Sequence, residues 1–349
     1  MRYLPTSRLT PGMALGQDIY DGAGRLLLGR HILLTEEQIS NLEFLGFPGA
    51  YVDDEFSRGI EIQQIVSPEV RRQALKIVYD LFHMDMRNQE PSEAELKLRK
   101  TVESVVDDVI CNGDIMCNIM DIKSYDDYIY YHSIHVGILS VVVGARLGLS
   151  HDKLCQLAAA ALLHDIGKRF IDHDIVRGGK AHRSEKEQEV YRKIGAEYLR
   201  ETCRFPADVY EGIMEHHECY NGEGYPLGKK GGGIHLFARI IRIADCYDAK
   251  DSAFPAQKSL SPSEALEYVM ALGDRWFDPD IVAVFARKVA AYPIGCEVEL
   301  SNGQHAVVAR NFENFPLRPL VRVVETGEML NMRDDEKARA VTVGRLIVR

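Results

Sequence analysis

Residues 154–168 read LCQLAAAALLHDIGK, an alanine- and leucine-rich run that ends in a histidine, an aspartate and, three residues later, a lysine. The apolar part predicts a buried helix from Leu154 to Leu163. An adjacent His–Asp pair at the end of a buried helix would carry an uncompensated charge unless the carboxylate is paired or binds a metal. We therefore expect His164 and Asp165 to be metal ligands, and Lys168 to meet an anion.

The histidines concentrate in this part of the chain. Eight of the twelve, including His164, lie within residues 132–217. Imidazole and carboxylate groups hold first-row divalent metals and leave positions open for water and substrate. His132 and His135 lie one turn apart on a helix predicted from Tyr128 to Leu147, so both could face one pocket. We expect His135 to be a satisfied core histidine rather than a ligand.

Two further segments add ligand candidates. His216 and His217 are adjacent on a helix predicted from Pro206 to Glu218, so their side chains diverge by about 100° and can reach different metals, or one metal and one substrate oxygen. Asp245 and Asp248 follow on another predicted helix. Carboxylates in such positions are commonly solvated or cap a helix end, and aliphatic neighbours make Asp245 the better ligand candidate of the two.

Composition limits the class of protein. The chain has 349 residues and a net charge of −10, whereas a dedicated nucleic-acid binder usually has a basic face, so we expect no DNA partner. Seven cysteines without a C-x-x-C pair suggest reduced thiols rather than a disulfide framework or a zinc knuckle. The N-terminus lacks an apolar signal core, and the run from Val136 to Ala145 is short for a membrane span. We expect a cytoplasmic protein without a membrane partner.

The hydrophobic pattern divides the chain into three parts. Residues 1–65 predict a small α/β regulatory or docking module, with a hairpin around Asp21–Gly24 and a helix capped by Thr35. Residues 66–291 follow a helical period. Residues 292–349 return to alternation, with a turn at Asn302-Gly303, and predict a β-rich C-terminal extension. The expected fold class is therefore mainly α, with a small module at one end and a β-rich tail at the other.

Four motifs between residues 127 and 249 occur in a recognisable order. They are Asp127-Tyr128-x-Tyr130-x-His132-Ser133, His164-Asp165-x-Gly167-Lys168, His216-His217-Glu218-x-x-Asn221-Gly222-x-Gly224-Tyr225-Pro226 and Ile243-Ala244-Asp245-x-Tyr247-Asp248-Ala249. Together they resemble the motifs of the HD-GYP family of cyclic di-GMP phosphodiesterases. The resemblance implies a helical HD-superfamily core and a centre of two or three metals, usually iron or manganese.

The resemblance also implies roles for individual residues. His132, His164, Asp165 and Asp245 would hold one metal, Asp165 would bridge to a second, and His216 and His217 would complete the ligand set. Two such metals would activate a water molecule for attack on a phosphodiester. Asp165 and Lys168 would be the catalytic residues, with Lys168 at the scissile phosphate. The implied substrate-binding residues are Lys168, Gly224, Tyr225, Pro226, Lys250 and Lys258.

Two departures from the family pattern bear on function. Tyr191 stands where the family carries a histidine, three residues before Ile194-Gly195, so the second metal site is expected to be weakened unless His173 or His182 compensates. Phe254-Pro255-Ala256-Gln257 stands where the family carries an Arg-Pro-Tyr-Arg-like string. Losing these guanidinium groups removes bidentate contacts with phosphate or guanine.

These features leave competing hypotheses about function. The first is a metal-dependent phosphodiesterase that converts cyclic di-GMP, or a related cyclic dinucleotide, to the linear dinucleotide or GMP. The second is a weak or inactive domain that acts as a metal or nucleotide receptor, or as an interaction module. Such a module would bind protein partners through the Gly222–Pro226 loop or the N-terminal module, or would form a homodimer. We favour the enzyme because a drifting site would be expected to lose its buried carboxylates early. A phosphohydrolase acting on an unrelated nucleotide is the weaker third hypothesis.

Overall fold

The elements follow the predicted three-part order. The structure is a computed structural model that describes residues 1–83, 91–118, 127–170, 185–251 and 260–347, except the side chains of residues 91–92, 185–192 and 251. In these residues the helices are α1 (Glu36–Phe44), α2 (Pro68–His83), α3 (Pro91–Cys111), α4 (Tyr128–Arg146), α5 (His151–Leu163), α6 (Glu185–Thr202), α7 (Ala207–Glu215), α8 (Leu236–Asp251), α9 (Pro262–Ala271) and α10 (Pro279–Lys288). The strands are β1 (Arg2–Pro5), β2 (Ala14–Leu15), β3 (Ile19–Tyr20), β4 (Leu26–Leu28), β5 (Gly49–Asp53), β6 (Glu297–Leu300), β7 (His305–Arg310), β8 (Leu320–Val323), β9 (Met329–Asn331) and β10 (Val343–Ile347).

Helix α4 lies at the centre of the helical core. Every residue from Tyr130 to Gly144 is buried, and the helix packs against α2, α3, α5, α8 and α10. A helix that is apolar on all sides requires such surroundings. By length and composition α4 could also cross a membrane, with 19 residues and a mean hydropathy of 1.3, but 78% of that stretch is buried within the fold. Its apolar character is therefore explained by its place in the core.

The N-terminal part forms the predicted α/β module. Strands β1, β5 and β2 form an antiparallel sheet in the order β1-β5-β2, and α1 begins with a capping box between Thr35 and Gln38. Strands β3 and β4 pair as a hairpin around Asp21, whose Oδ1 accepts hydrogen bonds from the backbone N–H groups of Ala23 and Arg25. Because the chain bends at Gln17, the segment before the hairpin divides into β2 and β3.

The C-terminal part forms the predicted β-rich extension. Five antiparallel strands are ordered β10-β6-β7-β8-β9. The predicted turn joins β6 to β7, where the Leu300 N–H donates to Gln304 O at 2.8 Å. Gly303 has a φ of +84°, a left-handed conformation that glycine adopts without steric cost.

The two ends of the chain pack against each other. The Tyr3 N–H donates to Gly295 O at 2.9 Å, and Arg2 Nη1 donates to the buried Glu297 Oε2 at 3.2 Å. Cys296 belongs to the apolar cluster of the N-terminal module. The domain boundaries at 65/66 and 291/292 stay predictions.

The N-terminal module also contacts the central helix. Tyr131, the neighbour of His132 on α4, donates a hydrogen bond from its hydroxyl to Tyr20 O at 2.9 Å. The hairpin of the module is therefore attached directly to the helix that carries the first ligand candidate.

Candidate metal centre

Four helices bring the predicted ligands to one place. His132 lies on α4 and Asp245 on α8, while His164 caps the C-terminus of α5 and is followed by Asp165. His216 caps the C-terminus of α7. This helix ends at Glu215, three residues before the predicted end, because the chain turns there and the Glu218 N–H donates to Glu215 O.

The ligand atoms form two adjoining groups. Those of His132, His164 and Asp165 lie within 4.8 Å of one another, and so do those of His216, His217 and Asp245. Asp245 connects the groups, because its Oδ1 lies 3.2 Å from His132 Nε2 and its Oδ2 lies 3.8 Å from His217 Nε2. The structure therefore brings together all six residues predicted as metal ligands.

Three of the histidines are oriented by their Nδ1 atoms. His164 Nδ1 donates to Ala161 O at 2.7 Å, His216 Nδ1 to Ile213 O at 2.7 Å, and His132 Nδ1 to a carboxylate oxygen of Asp248 at 2.8 Å. Because a carbonyl or carboxylate oxygen only accepts, each neutral ring carries its lone pair on Nε2.

Whether these histidines and Asp165 fit a metal can be judged from the surroundings of His164 Nε2. It is buried and has no hydrogen-bond partner among the residues that the structure describes. Buried polar atoms are rarely left unsatisfied, and a lone pair beside the Asp165 carboxylate is what a divalent metal requires. The donors of the first group therefore fit a divalent metal.

Asp248 is a buried acceptor rather than a solvated carboxylate or a helix cap. Its side chain is fully buried, and its Oδ1 accepts from His135 Nδ1 at 2.6 Å while its Oδ2 accepts from His132 Nδ1. The interpretation of Asp248 as solvated is therefore wrong. His135 is, as predicted, a buried and satisfied histidine.

Two carboxylates of the centre stay ionised although they are buried. Burial raises the pKa of Asp165, but Lys168 opposes this and the pKa lies well below its usual value. Burial also opposes ionisation of Asp245, but the hydrogen bond from His132 lowers the pKa of this carboxyl. For His132, burial disfavours the charged form, yet the hydrogen bonds with Asp245 and Asp248 raise its pKa to about 9. Two ionised carboxylates in a buried pocket attract a cation.

Lys168 is held beside the ligands by the segment after α5. Its Nζ donates to Asp165 Oδ2 and its side chain is 29% exposed. Gly195 of α6 packs against this segment, since a Cβ atom there would lie 2.7 Å from Gly167 N. Position 191 lies one turn before Gly195, but the side chain of Tyr191 is outside the described residues.

Two buried glutamates that the sequence analysis did not assign hold the loop after α7. Glu218 Oε1 accepts from Leu227 N at 2.6 Å and its Oε2 from Lys229 N at 3.1 Å. Glu215 accepts from Lys229 Nζ at 2.5 Å and from His235 N at 2.9 Å. In the sequence, only their positions before a glycine-rich loop indicated that these glutamates could hold the loop.

The same loop places an aromatic ring over the centre. A Cβ atom at Gly224 would lie 2.1 Å from Cys219 N, so only glycine allows the loop to pack this closely. The ring of Tyr225 stacks on His217, with centroids 5.5 Å apart and planes 14° from parallel. Pro226 follows Tyr225 in this loop. Three predicted substrate-binding residues therefore lie beside the second ligand group.

Arg242, which was not predicted as a site residue, also contacts a candidate ligand. It lies three residues before Asp245 on α8, and its Nη1 donates to His217 Nδ1 at 3.0 Å. The i, i+3 spacing to Asp245 was the only signal available for it.

The remaining predicted residues lie elsewhere or outside the description. Lys250, near the end of α8, places its Nζ 4.9 Å from the ring centroid of Tyr268. Its role in substrate binding stays a prediction. Lys258, His173, His182 and residues 254–257 lie outside the described residues.

Comparisons with known proteins show which chains are similar to this one. The HD domain family matches residues 117–281. The chain is 31% identical to the cyclic di-GMP phosphodiesterase PA4108 of Pseudomonas aeruginosa over 64% of this chain and 54% of that protein. It is 38% identical to the cyclic di-GMP phosphodiesterase response regulator RpfG of Xanthomonas campestris pv. campestris, over 42% of this chain and 39% of that protein.

A third relative has a different named substrate. The 3′3′-cGAMP-specific phosphodiesterase 1 of Vibrio cholerae is 32% identical over 46% of this chain and 37% of that protein. The chain thus spans about half or less of the length of these curated relatives.

A solved structure shares the fold. The HDG"Y"P protein Bd1817 of Bdellovibrio bacteriovorus superposes with a TM-score of 0.50 over 81% of this chain and 97% of that chain, at 17% sequence identity. The family match, the curated relatives and the four motifs agree with one another. Residues 117–281 therefore match the HD domain family, and the curated relatives and the four motifs support assignment of this region to the HD-GYP branch.

Proposed function

We propose that this protein is a metal-dependent phosphodiesterase that hydrolyses cyclic di-GMP, or a related cyclic dinucleotide, to the linear dinucleotide or GMP in bacterial signalling. The observation that carries the proposal is the first ligand group, in which the buried Nε2 atom of His164 has no other partner among the described residues and lies 3.4 Å from Asp165 Oδ2. The names of the curated relatives support the same substrate class.

The first ligand group, together with Asp245, would hold divalent metal, which we propose to be iron or manganese, and His216 and His217 are the remaining predicted ligands. When bound, such metals activate water and stabilise charge on phosphodiester oxygens. Asp165 stays ionised in its buried position because Lys168 holds its pKa low. Lys168, partly exposed, presents a positive charge at the edge of the centre, where a phosphate oxygen of the substrate would lie.

The loop after α7 would form the mouth of the site. The Tyr225 ring, stacked on His217, offers a flat surface beside the ligands. A nucleobase stacks favourably on such a ring, with about 1–3 kcal/mol per base in single-stranded nucleic-acid complexes. We propose that Tyr225 and its neighbours Gly224 and Pro226 contact a guanine of the substrate.

A receptor without turnover is the second candidate. It is favoured by Tyr191, which stands where the family has a histidine, and by the cation Arg242 beside His217. In that case the Gly222–Pro226 loop or the N-terminal module would contact a protein partner, or a second copy of the chain in a homodimer.

A turnover assay separates the two candidates. The purified chain, loaded with Fe²⁺ or Mn²⁺ without oxygen, is incubated with cyclic di-GMP or 3′3′-cGAMP, and products are separated by chromatography. We expect linear dinucleotide or GMP to form, and a chelator to stop the reaction. Nucleotide binding without product, with either metal, would contradict the enzyme and support the receptor.

Glu218→Gln should weaken substrate binding. The amide has one acceptor oxygen, so an N–H of Leu227 or Lys229 would face a donor, at a cost of about 1–3 kcal/mol. The loop would then be held less well, and we expect KM to rise about 5–30-fold with a smaller change in kcat. Steady-state kinetics measure both.

The matched control is Glu223→Gln on the same loop. Glu223 is exposed and contacts Asn221 and Arg275 at the surface. We expect its KM to stay within about twofold of the unmodified protein. Equal effects of the two substitutions would show that the buried anchor at Glu218 does not position the loop.

A further inference from the structure

His217 differs from the other ligand histidines in the partner of its Nδ1 atom. His132, His164 and His216 each donate from Nδ1 to a carboxylate or carbonyl oxygen. His217 Nδ1 instead meets Arg242 Nη1 at 3.0 Å. Since a guanidinium only donates, Nδ1 of His217 must accept, and the proton of the neutral ring then lies on Nε2.

This arrangement opposes a metal on His217. To bind a metal, Nε2 of His217 must offer its lone pair, so the single proton of the neutral ring would have to lie on Nδ1. That proton would then face the N–H of Arg242, which is also a donor. Metal-bound histidines usually donate their other N–H to an acceptor, as the three other histidines of this centre do. His217 therefore matches a metal ligand in distance but not in hydrogen bonding.

The charge of Arg242 acts in the same direction. Its Nη1 lies 4.0 Å from Asp245 Oδ2, the oxygen that faces His217. The side chain is only 16% exposed, and a guanidinium keeps its charge in proteins. A divalent metal between His217 and Asp245 would meet this positive charge with little solvent to screen it. Arg242 already neutralises part of the negative charge that would attract such a metal.

Arg242 Nε supplies an independent observation. It is buried and has no hydrogen-bond partner among the described residues. An unsatisfied guanidinium N–H is costly, and this arginine lies at the ligand cluster.

We propose that Arg242 is a fixed cation that takes the place of a second metal. The chain then binds one metal tightly on His132, His164, Asp165 and Asp245, and the guanidinium supplies the neighbouring positive charge beside His217. This inference rests on the metal site of the proposed function, but it concerns the number of metals and does not require turnover.

Manganese binding to the full chain tests this directly. Titration with Mn²⁺ alone, followed by calorimetry, should give one tight site, and electron paramagnetic resonance should show an uncoupled Mn²⁺ signal. Arg242→Gln removes the charge and should raise the affinity of a second site by about tenfold or more, with a spin-coupled signal. Arg242→Lys retains a positive charge and should keep the single-site behaviour.

Several results would overturn the proposal. Two sites of similar affinity in the unmodified protein would do so, and so would a single site that persists in a folded Arg242→Gln variant. In the double variant Arg242→Gln with His217→Ala, the second site should disappear again. A second site that survives in the double variant would not use His217. Arg242 and a metal would then not compete for His217, and the proposal would be wrong.

The number of bound metals and the turnover of substrate are measured independently, so the two proposals can fail separately. One bound Mn²⁺ without product contradicts the phosphodiesterase and leaves the role of Arg242 standing. Two coupled Mn²⁺ ions with product contradict the role of Arg242 and leave the phosphodiesterase standing. If Arg242→Gln does not fold, the signal of the unmodified protein and the behaviour of Arg242→Lys still decide the question.

Discussion

Asp165→Asn should lower cyclic-dinucleotide turnover by at least about 10³-fold and weaken Mn²⁺ binding by more than about 100-fold. The Asp165 carboxylate is buried, lies 3.4 Å from His164 Nε2 and 3.8 Å from His132 Nε2, and accepts from Lys168. Asparagine keeps the shape and removes the charge, so it takes away one ligand and the partner of Lys168. Calorimetry and a turnover assay measure the two effects separately.

Asp208→Asn is a matched control for this substitution. Asp208 is also a carboxylate paired with a lysine, Lys153, and the hydrogen bond from that lysine lowers its pKa. It is half-exposed and contacts His235 instead of a ligand histidine. We expect metal binding and turnover within about twofold of the unmodified protein. An Asp165→Asn protein that behaves like this control would exclude Asp165 from the centre.

The proximity of the six candidate ligands was predictable because local sequence carries most of the signal. A histidine and an aspartate at the end of the alanine-rich α5 stand out from an apolar helix, and the pair at 216 and 217 and the carboxylate at 245 do the same. The helical core, the N-terminal module and the C-terminal sheet follow from hydrophobic period and turn residues. These features depend on neighbours within a few turns.

Arg242 and Asp248 were not predictable in the same way because their partners are distant in sequence. The burial of Asp248 depends on His132, which lies 116 residues earlier on another helix. Arg242 contacts His217, 25 residues away, across a loop. Charged residues on a helix are usually exposed, so neither burial nor the direction of a hydrogen bond can be read from their spacing. The packing of Glu297 against Arg2 is a similar case.

Asp248→Asn should lower both metal affinity and stability. Each carboxylate oxygen of Asp248 accepts from one histidine, Oδ2 from His132 and Oδ1 from His135. Asparagine has one acceptor oxygen, so one imidazole N–H would face an amide N–H in a buried site. We expect the free energy of unfolding to fall by about 1–3 kcal/mol. We also expect Mn²⁺ affinity to fall by about 10–100-fold, because Asp248 sets the orientation of His132. Urea denaturation and calorimetry measure the two effects.

His135→Gln separates the two effects, because His135 shares Asp248 but is not a predicted ligand. Replacing this imidazole removes the Nδ1 donor that lies 2.6 Å from Asp248 Oδ1 and should cost about 1–3 kcal/mol of stability. The contact of Asp248 with His132 would persist, so Mn²⁺ affinity should stay within about threefold. If Asp248→Asn and His135→Gln lowered stability equally and neither changed Mn²⁺ affinity, Asp248 would be a core acceptor without influence on the ligand. A loss of affinity confined to Asp248→Asn would instead show that the metal site depends on a carboxylate that does not ligate the metal.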